Sequence, residues 1–576
     1  MINLNSDTIQ VLCQGCHRKV VFDVTDCPWC GASLAYGQPI LPVDEIDSYR
    51  NGTPQDVTQS RSDISSAPSV PRLNLEAAQI SLQTLRQSGL PLEETTYLTI
   101  GGGLGSFTWI DHLLIHGADP AHLACIGLGS KPYARCRRLC HNSQISDDQR
   151  LRSDSGATPD NIWGWPGYAL REIWADLAQG RVGRAARLSW QIFSESLTEP
   201  FTPKAGNVFA SIDREARRIG WDTLWRFGRV QAIRQTTDGR YVVVYDQSTP
   251  RKHRPKLMVA AYLHIALGYP QLRFLPDLQN YRANTGDFQH FVNAYEPHDH
   301  IYEQLRQQGG TVLLRGRGIT ASRIIQRLDE VRQARPNLNI VHLMRHPIPN
   351  GTAYQGTHRL AENHFELQPF NFPKSAFGGE YLFRLAQADE QERAALIRLW
   401  GGTTTARHTV WRKIINTGLA QGWYQIRFGE LERVDRDNHS GRLTGIIRNQ
   451  SALQEKTVLP LDFIIDATGL DDDPQLNPVW KDLLETYGLK QNPAGKLHVS
   501  RHFELPGLQN GTGRVFASGI AVGGGHFAPV DSFIGLQYAA QCSLEALLEL
   551  GGPGLHRLTP VRSARQWLRW VRGVQP

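Results

Sequence analysis

The chain has 576 residues, of which 40% are hydrophobic and 20% charged, and this length exceeds what a single hydrophobic core usually serves. No apolar run approaches the roughly 18 to 20 residues that a membrane-spanning helix needs. The formal net charge is +7, but the 62 Lys and Arg are scattered among 55 Asp and Glu, so charge alone does not indicate nucleic-acid binding.

The N-terminus has neither the basic start nor the apolar stretch of a signal peptide, which predicts a cytoplasmic protein. Four of the eight cysteines follow as CQGC and CPWC. Each C-x-x-C turn can aim two thiolates at one point, and two such turns complete a tetrahedral site for structural Zn²⁺. The segment resembles a zinc ribbon, with rubredoxin-like iron as the alternative metal, since iron also accepts four thiolates. The predicted ligands are Cys13, Cys16, Cys27 and Cys30.

A first nucleotide-binding unit is predicted where the strand in YLTI meets the glycine-rich turn GGGLGS. The stretch before it, residues 36–74, is rich in Ser, Pro, Asp and Asn and is expected to be a flexible linker. Strand, glycine turn and helix in this order let the backbone approach a diphosphate, whose charge then lies at the helix N-terminus. The predicted contacts are Gly101, Gly103, Gly105 and Ser106.

One element of the dinucleotide pattern is missing from this unit. The second strand should end in Asp or Glu, which accepts the ribose hydroxyls, but Ile126, Gly127 and Leu128 stand there. Either other groups hold the adenosine or the unit has lost its ligand. Further on, Val230 stands on a strand expected to run beside the adenine.

A second nucleotide-binding unit is predicted from GGTVLLRGRGITASRII, the clearest motif of the chain. Gly316, Gly318 and Ala321 form G-x-G-x-x-A between an apolar strand and a helix. The next strand ends in Arg345, which can pair with the 2′-phosphate of NADPH, whereas a carboxylate would repel it. A surface arginine at a strand end is the alternative.

Two later segments suggest that the chain rejoins the first unit. LDFIIDATGL predicts a strand that runs into Ala467, and GRVFASGIAVGGG predicts a strand followed by a glycine loop. In the flavoproteins that this order of motifs resembles, this region approaches the flavin, which implies contacts from Gly519 and Asp531. Asp531 also precedes an apolar helical run and could be a helix N-cap.

These motifs together resemble a flavoprotein superfamily with two dinucleotide-binding domains. It includes flavin-containing monooxygenases, N-hydroxylating monooxygenases and thioredoxin reductases, and GGGLGS and DATGL look most like the N-hydroxylating branch. The resemblance implies an α/β fold in which one Rossmann-like domain is inserted in another. The expected organisation is a zinc ribbon at 1–35, a linker at 36–74, an FAD domain at 75–300 and 431–560, an NADPH domain at 301–430 and a basic amphipathic helix at 561–576.

The resemblance implies FAD and NADPH as cofactors and a monooxygenase that acts on an amine or another soft nucleophile. One alternative is a flavin reductase that passes electrons to a protein partner docked through the zinc ribbon. The other is a non-catalytic scaffold or sensor that has lost flavin. No acid or base is identified, because the cofactor carries most of this chemistry.

Other clusters have a functional and a structural interpretation. His298, Asp299 and His300 could bind metal but lack a third spaced ligand, which favours a structural role. Cys136 and Cys140 are four residues apart, unlike the C-x-x-C of disulfide reductases. The C-terminal helix either packs on the body or meets a membrane surface or partner.

Overall fold

The structure is a computed structural model. It describes residues 10–13, 18–21, 75–151, 156–194, 201–247, 255–348, 353–354, 357–358, 361–366, 377, 379–400, 409–437, 439–450, 455–526 and 530–576. No helix in these ranges has the length and hydropathy needed to cross a membrane.

The described strands are β1 (Gln10–Leu12), β2 (Lys19–Val21), β3 (Gln79–Ile80), β4 (Leu92–Ile100), β5 (Leu123–Gly127), β6 (Trp225–Phe227), β7 (Arg229–Thr236), β8 (Tyr241–Asp246), β9 (Pro255–Ile265), β10 (Gln271–Leu272), β11 (Phe291–Asn293), β12 (Gly310–Arg315), β13 (Leu338–Met344), β14 (Ala353–Tyr354), β15 (Thr357–His358), β16 (Ala361–Glu362), β17 (Phe365–Glu366), β18 (Tyr424–Arg436), β19 (Leu443–Asn449), β20 (Lys456–Leu461), β21 (Phe463–Asp466), β22 (Leu470–Asp471) and β23 (Arg514–Ala517).

The described helices are α1 (Leu82–Gln87), α2 (Leu104–Ile115), α3 (Ala134–Asn142), α4 (Gly167–Ala178), α5 (Val182–Phe193), α6 (Ala205–Arg218), α7 (Trp221–Leu224), α8 (Pro276–Thr285), α9 (Asp299–Gln308), α10 (Ile319–Ala334), α11 (Glu380–Gln387), α12 (Glu390–Trp400), α13 (Thr409–Gln421), α14 (Pro478–Tyr487), α15 (Phe533–Glu549) and α16 (Pro560–Val571).

The first large sheet has the strand order β3-β7-β8-β9-β4-β5-β6, and β23 also pairs with β9. Strands β23, β9, β4, β5 and β6 are parallel, whereas β7, β8 and the first half of β9 form an antiparallel meander. Strand β5 is buried along its whole length, as expected for a parallel strand covered on both faces.

The second large sheet repeats this plan with the order β11-β21-β12-β13-β18-β19-β20. Its strands are parallel from β11 to the first half of β18, and the rest of β18 forms an antiparallel ribbon with β19 and β20. These two sheets confirm the predicted α/β class with parallel strands.

The predicted point of return to the first sheet was wrong. The strand in LDFIIDATGL is β21, and it lies between β11 and β12 of the second sheet. All four of its residues are buried. Strands β11 and β12 pair with its two edges, so neither edge is exposed. The second sheet therefore draws its strands from 291–466 rather than from 301–430, and the first strand to rejoin the other sheet is β23.

The N-terminal segment packs against the chain that connects the two sheets. Strands β1 and β2 pair antiparallel, and Cys13 is fully buried in a core that includes Leu272. Arg18 lies 3.5 Å from the buried Glu296, which also pairs with Arg282 at 2.6 Å. Of the four predicted zinc ligands, Cys16, Cys27 and Cys30 lie outside the described residues, so the zinc site stays a prediction. No cluster of three potential metal ligands occurs in the described part of the chain.

Three fully enclosed histidines are held neutral in the cores. Burial lowers the pKa of His264 to about 3, and it lowers the pKa values of His112 and His342 to about 4. The ring of His264 stacks on Trp109, with 5.0 Å between the ring centroids. A histidine whose pKa is lowered on folding binds more protons in the unfolded chain than in the native protein between its native pKa and about 6.5.

We expect the free energy of unfolding to fall as the pH is lowered from about 6.5 to 4. Each buried histidine contributes up to about 1.4 kcal/mol per pH unit in this window. His264→Gln should reduce this slope by about one proton, and His122→Gln, on an exposed residue, is the control. Urea unfolding at a series of pH values measures the slope, and an unchanged slope in His264→Gln would contradict the assignment.

Candidate functional site

The first glycine turn follows β4, and a contact with β9 determines its shape. Gly101 has φ +103°, and a Cβ at this position would lie 2.3 Å from the carbonyl oxygen of Ala266. Gly105 is also crowded, since its Cβ would lie 3.0 Å from the Cβ of Ala266. Gly103, by contrast, has no heavy atom of the described residues within 4 Å of its Cβ position apart from those of its own chain neighbours. The turn is therefore closed on the side of the sheet and open at the N-terminus of α2.

The second glycine turn, after β12, repeats this arrangement. Gly316 has φ +116°, and its Cβ would lie 2.4 Å from the carbonyl oxygen of Ala467. Gly318 begins α10 and is open, with no heavy atom of the described chain within 4 Å of its Cβ position. Ala321 is fully buried beneath the first turn of the helix. The two turns present the same shape although their sequences share only the spacing of the glycines.

The backbone hydrogen bonds of the two turns also match. The N–H of Ala266 donates to the carbonyl of Ile100 at 2.9 Å, and the N–H of Ala467 donates to that of Arg315 at 2.7 Å. Each alanine is thus tied to the last residue of the strand that enters the glycine turn. This bond holds the alanine carbonyl against the first glycine in both units.

Both helices begin without a capping group. Neither Gly103 nor Gly318 has a side chain, and no acidic residue stands in the first turn of α2 or α10 in the described structure. The first N–H groups of a helix have no partner within the helix and carry its positive dipole end. Open, uncapped helix N-termini after a glycine turn are suited to binding a diphosphate.

The fold excludes a ribose carboxylate at Gly127. A Cβ on Gly127, the last residue of β5, would lie 2.3 Å from the backbone nitrogen of Gly102. No side chain of any kind fits there without displacing the glycine turn. The edge instead presents apolar groups, because Leu128 is 40% exposed and Phe227, at the end of the adjacent β6, is 38% exposed.

Trp225 is a residue of this edge that the motifs did not reveal. Its indole Nε1 lies 3.3 Å from the Cβ position of Gly102 and has no hydrogen-bond partner among the described residues. The second turn has a similar feature, since the buried hydroxyl of Thr468 has no partner within the described ranges. Buried polar groups are nearly always satisfied in native proteins, so these two groups at the glycine turns are available to pair with a bound molecule.

Ser106 acts inside the protein rather than toward the crevice. Its hydroxyl accepts from Thr99 at 2.8 Å, and Thr99 lies 3.1 Å from Nδ1 of His264. Nε2 of His264 lies 3.0 Å from the hydroxyl of Ser518. This buried chain connects the first glycine turn to the residue that precedes Gly519.

The loop after β23 contains the two residues predicted to contact flavin. Gly519 has φ +84° and no heavy atom of the described residues within 4 Å of its Cβ position. Asp531 does not cap the following helix, because Ser532 accepts the hydrogen bond from Gly535. Asp531 instead accepts a hydrogen bond of 2.6 Å from the hydroxyl of Tyr269, whose pKa is raised by burial and by this carboxylate.

Two histidines near this loop, His498 and His526, were missed by the sequence analysis. His498 pairs with Glu390 of α12 at 3.0 Å. Burial and the nearby Arg393 and Arg501 lower the pKa of His526 to about 4. Helix α12 lies between strands of the second sheet in sequence, so only the folded chain brings these residues together.

A short ladder joins the two crevices. Strands β10 and β22 follow Ala266 and Ala467, respectively, and pair antiparallel. Arg273, next to this ladder, pairs with Asp471 at 3.1 Å. The chain segments that contain Ala266 and Ala467 therefore meet a few residues after these alanines.

The remaining predicted residues occupy less decisive places. Arg345 directly follows β13, has a side chain that is 70% exposed, and lies 4.0 Å from Glu430. Arg317, in the glycine turn itself, donates to the carbonyl of His346. Val230 is partly buried on β7, opposite Tyr245.

The other clusters have structural roles. His298 is fully buried, with Nδ1 at 2.7 Å from the carbonyl of Glu296 and Nε2 at 2.9 Å from the hydroxyl of Tyr302. Cys136 and Cys140 share a face of α3 and pack on the first core without a disulfide. In α16, Trp567 packs on Trp165 and Trp570 donates to the carbonyl of Asp160 at 3.2 Å, so one face of this helix lies on the body.

No family model and no curated protein matches the sequence, but solved structures match its fold. An ornithine hydroxylase from Pseudomonas aeruginosa is 14% identical, with a TM-score of 0.54 over 79% of this chain and 99% of that chain. An ornithine N-hydroxylase from Kutzneria sp. 744, in a structure with reduced FAD, NADP+ and L-ornithine, is 16% identical, with a TM-score of 0.54 over 80% of this chain and 100% of that chain.

A cadaverine monooxygenase from Erwinia amylovora, bound to FAD, is 14% identical, with a TM-score of 0.55 over 80% of this chain and 96% of that chain. At this identity the similarity shows the fold. The resemblance inferred from the glycine motifs is thereby confirmed at the level of architecture.

Matched substitutions in one turn separate folding from binding. Gly101→Ala should lower the free energy of unfolding by about 2 kcal/mol or more, because the methyl group meets the carbonyl of Ala266 at positive φ. Gly103→Ala should change stability by less than about 1 kcal/mol, since its Cβ position is open, but weaken nucleotide binding about tenfold or more.

Chemical unfolding of the nucleotide-free proteins and flavin titration followed by fluorescence measure the two effects. Gly316→Ala and Gly318→Ala form the equivalent pair in the second turn, with NADPH as the nucleotide that is titrated. Full ligand affinity in Gly103→Ala or unchanged stability in Gly101→Ala would contradict this division of roles.

Proposed function

We propose that this protein is an FAD-dependent monooxygenase that uses NADPH to hydroxylate an amine or another soft nucleophile. The observation that carries the proposal is the pair of open, uncapped helix N-termini, each shaped by an alanine carbonyl and joined by the β10–β22 ladder. Among the proteins with the same fold, the Kutzneria ornithine N-hydroxylase is described with reduced FAD and NADP+, and the cadaverine monooxygenase is described with FAD. The Pseudomonas protein is named an ornithine hydroxylase. An amine as the substrate class is taken from them.

The residues of the first crevice fit FAD. The N–H groups of the first turn of α2 would bind the diphosphate, with Gly103 allowing close approach. The unpaired Nε1 of Trp225 offers a donor at the same turn, and the exposed surface of Phe227 offers a ring on which an adenine could stack. These groups would replace the ribose carboxylate that Gly127 excludes.

The residues of the second crevice fit NADPH. The first turn of α10 would bind its diphosphate, and the unpaired hydroxyl of Thr468 lies at the same turn. Arg345 extends into solvent at the end of the adjacent strand, where it can reach an adenosine 2′-phosphate. Arg317 adds a second positive charge to this edge.

When bound, the two cofactors supply the hydride transfer and the activation of O₂. The task of the chain is to hold them and to limit water. Arg315, buried between Asp277 and Asp466 at 2.7 Å from each, anchors the entry to the second glycine turn. The Tyr269–Asp531 hydrogen bond ties the connecting segment to the loop after Gly519.

Arg345 should determine the preference for NADPH. Arg345→Gln should raise the KM for NADPH about 10- to 100-fold, because a charge-assisted contact with the 2′-phosphate is lost, and leave the KM for NADH unchanged. Arg433→Gln, on an arginine whose side chain is 66% exposed elsewhere in the second unit, is the control. Equal effects of Arg345→Gln on both nucleotides would show that Arg345 does not contact the phosphate.

The activity itself is tested on the purified full chain. Its visible spectrum should show bound flavin that NADPH bleaches without O₂ and that returns in air. With L-ornithine, L-lysine or cadaverine as probes, NADPH oxidation should consume O₂ in proportion to hydroxylated amine. Bleaching by NADPH with no hydroxylated product from any amine would favour the reductase alternative. Colourless protein that takes up no flavin would refute the proposal and favour a scaffold.

A further inference from the structure

The helical hairpin α4–α5 exposes five large apolar side chains. Isolated exposed apolar residues are common, but several on one short helical hairpin indicate an interaction surface. Two of these residues are tryptophans, and the phenylalanine is nearly fully exposed. The five residues are Trp174 (70% exposed), Leu177 (41%), Val182 (62%), Trp190 (67%) and Phe193 (91%).

These exposed side chains do not belong to the face of the hairpin that packs on the core. The inward face of the hairpin is already occupied, because Ile173 on α4 and Leu188 on α5 are buried in the first core. Trp190 and Phe193 are three residues apart on the opposite side of α5 from Leu188. The hairpin therefore has one apolar face that packs on the body and a second that faces solvent.

The hairpin presents positive rather than negative charge to solvent. Its two acidic residues point inward and are paired, since Asp176 (3% exposed side chain) contacts both Arg181 and Arg184 at 2.6 and 3.1 Å. Glu172 (13% exposed side chain) pairs with Arg150 at 2.8 Å. The arginines remain at the surface, with side chains of Arg181 and Arg184 exposed by 46% and 52%.

This distribution identifies the chemistry of the partner. Both carboxylates of the hairpin are turned inward and already paired, so a second copy of the hairpin would offer these arginines no free carboxylate. Exposed tryptophan and phenylalanine bordered by arginine is instead the composition of segments that lie in the interface of an anionic membrane. Arginine also pairs well with phosphate groups.

We propose that the α4–α5 hairpin docks on the surface of a bilayer that contains anionic phospholipid, with Trp190 and Phe193 as apolar anchors. The binding is peripheral. The arginines, Arg187 among them, provide the attraction to phosphate, which falls as salt is added.

Flotation of the full-length protein with vesicles tests the proposal. Vesicles of phosphatidylcholine with phosphatidylglycerol should carry the protein upward at low ionic strength, whereas phosphatidylcholine alone should carry much less. The double variant Trp190→Ser, Phe193→Ser should reduce binding about tenfold or more, because it removes two apolar anchors. Arg187→Glu should weaken binding only to the anionic vesicles.

Phe383→Ser is the matched control, since Phe383 is 62% exposed outside the hairpin and should leave flotation unchanged. The melting temperature and flavin content of each variant distinguish a docking defect from a folding or cofactor defect. Absence of flotation of the unaltered protein, or equal flotation of the double variant, would overturn the proposal. It would also be overturned if light scattering showed an oligomer that the double variant dissociates and no protein floated.

Discussion

The contact between an alanine carbonyl and the first glycine of each turn determines the geometry of both crevices. The oxygens of Ala266 and Ala467 occupy the space where a side chain of Gly101 or Gly316 would stand. Only glycine permits this approach and the positive φ that accompanies it. The strand can therefore turn directly into a helix whose first N–H groups open onto the carboxyl edge of the sheet, where ligands bind in open α/β folds.

Buried polar groups hold these turns in place from below. In the first unit the chain from Thr99 through His264 to Ser518 spans three parallel strands and includes the side chain of Ser106. In the second unit Arg315 is enclosed between two carboxylates. Such networks are costly when a partner is missing, so they favour one arrangement of the loops. The two glycine turns have similar geometry, although hydroxyls and a histidine lie beneath the first turn and an arginine between two carboxylates lies beneath the second.

The first unit lacks the carboxylate that usually holds a ribose, and at Gly127 this absence has a steric origin. The backbone of Gly102 lies against Gly127 so closely that a carboxylate-bearing side chain has no room. The edge formed by Leu128, Trp225 and Phe227 offers ring surface and an indole N–H instead. A nucleotide held in this way would depend more on stacking and less on a charged hydrogen bond.

Local patterns in the sequence predicted the parts of this protein that depend on neighbouring residues. The order strand, glycine turn, helix was correct at both turns, because φ and close backbone approach restrict those few positions to small residues. The α/β class followed from the same repeats. Cys16, Cys27 and Cys30 show a further local pattern, which lies outside the described residues.

Pairings between distant residues were decided only by the tertiary structure. Strand β21 lies between β11 and β12, which pair with both of its edges, and nothing within LDFIIDATGL distinguishes this sheet from the other. The hydrogen bond from Tyr269 to Asp531 and the approach of the Trp225 indole to Gly102 likewise join residues that are far apart in the sequence. The strand or side chain with which a residue pairs is the one that satisfies its hydrogen bonds and removes it from water. That pairing depends on the whole fold rather than on the adjacent sequence.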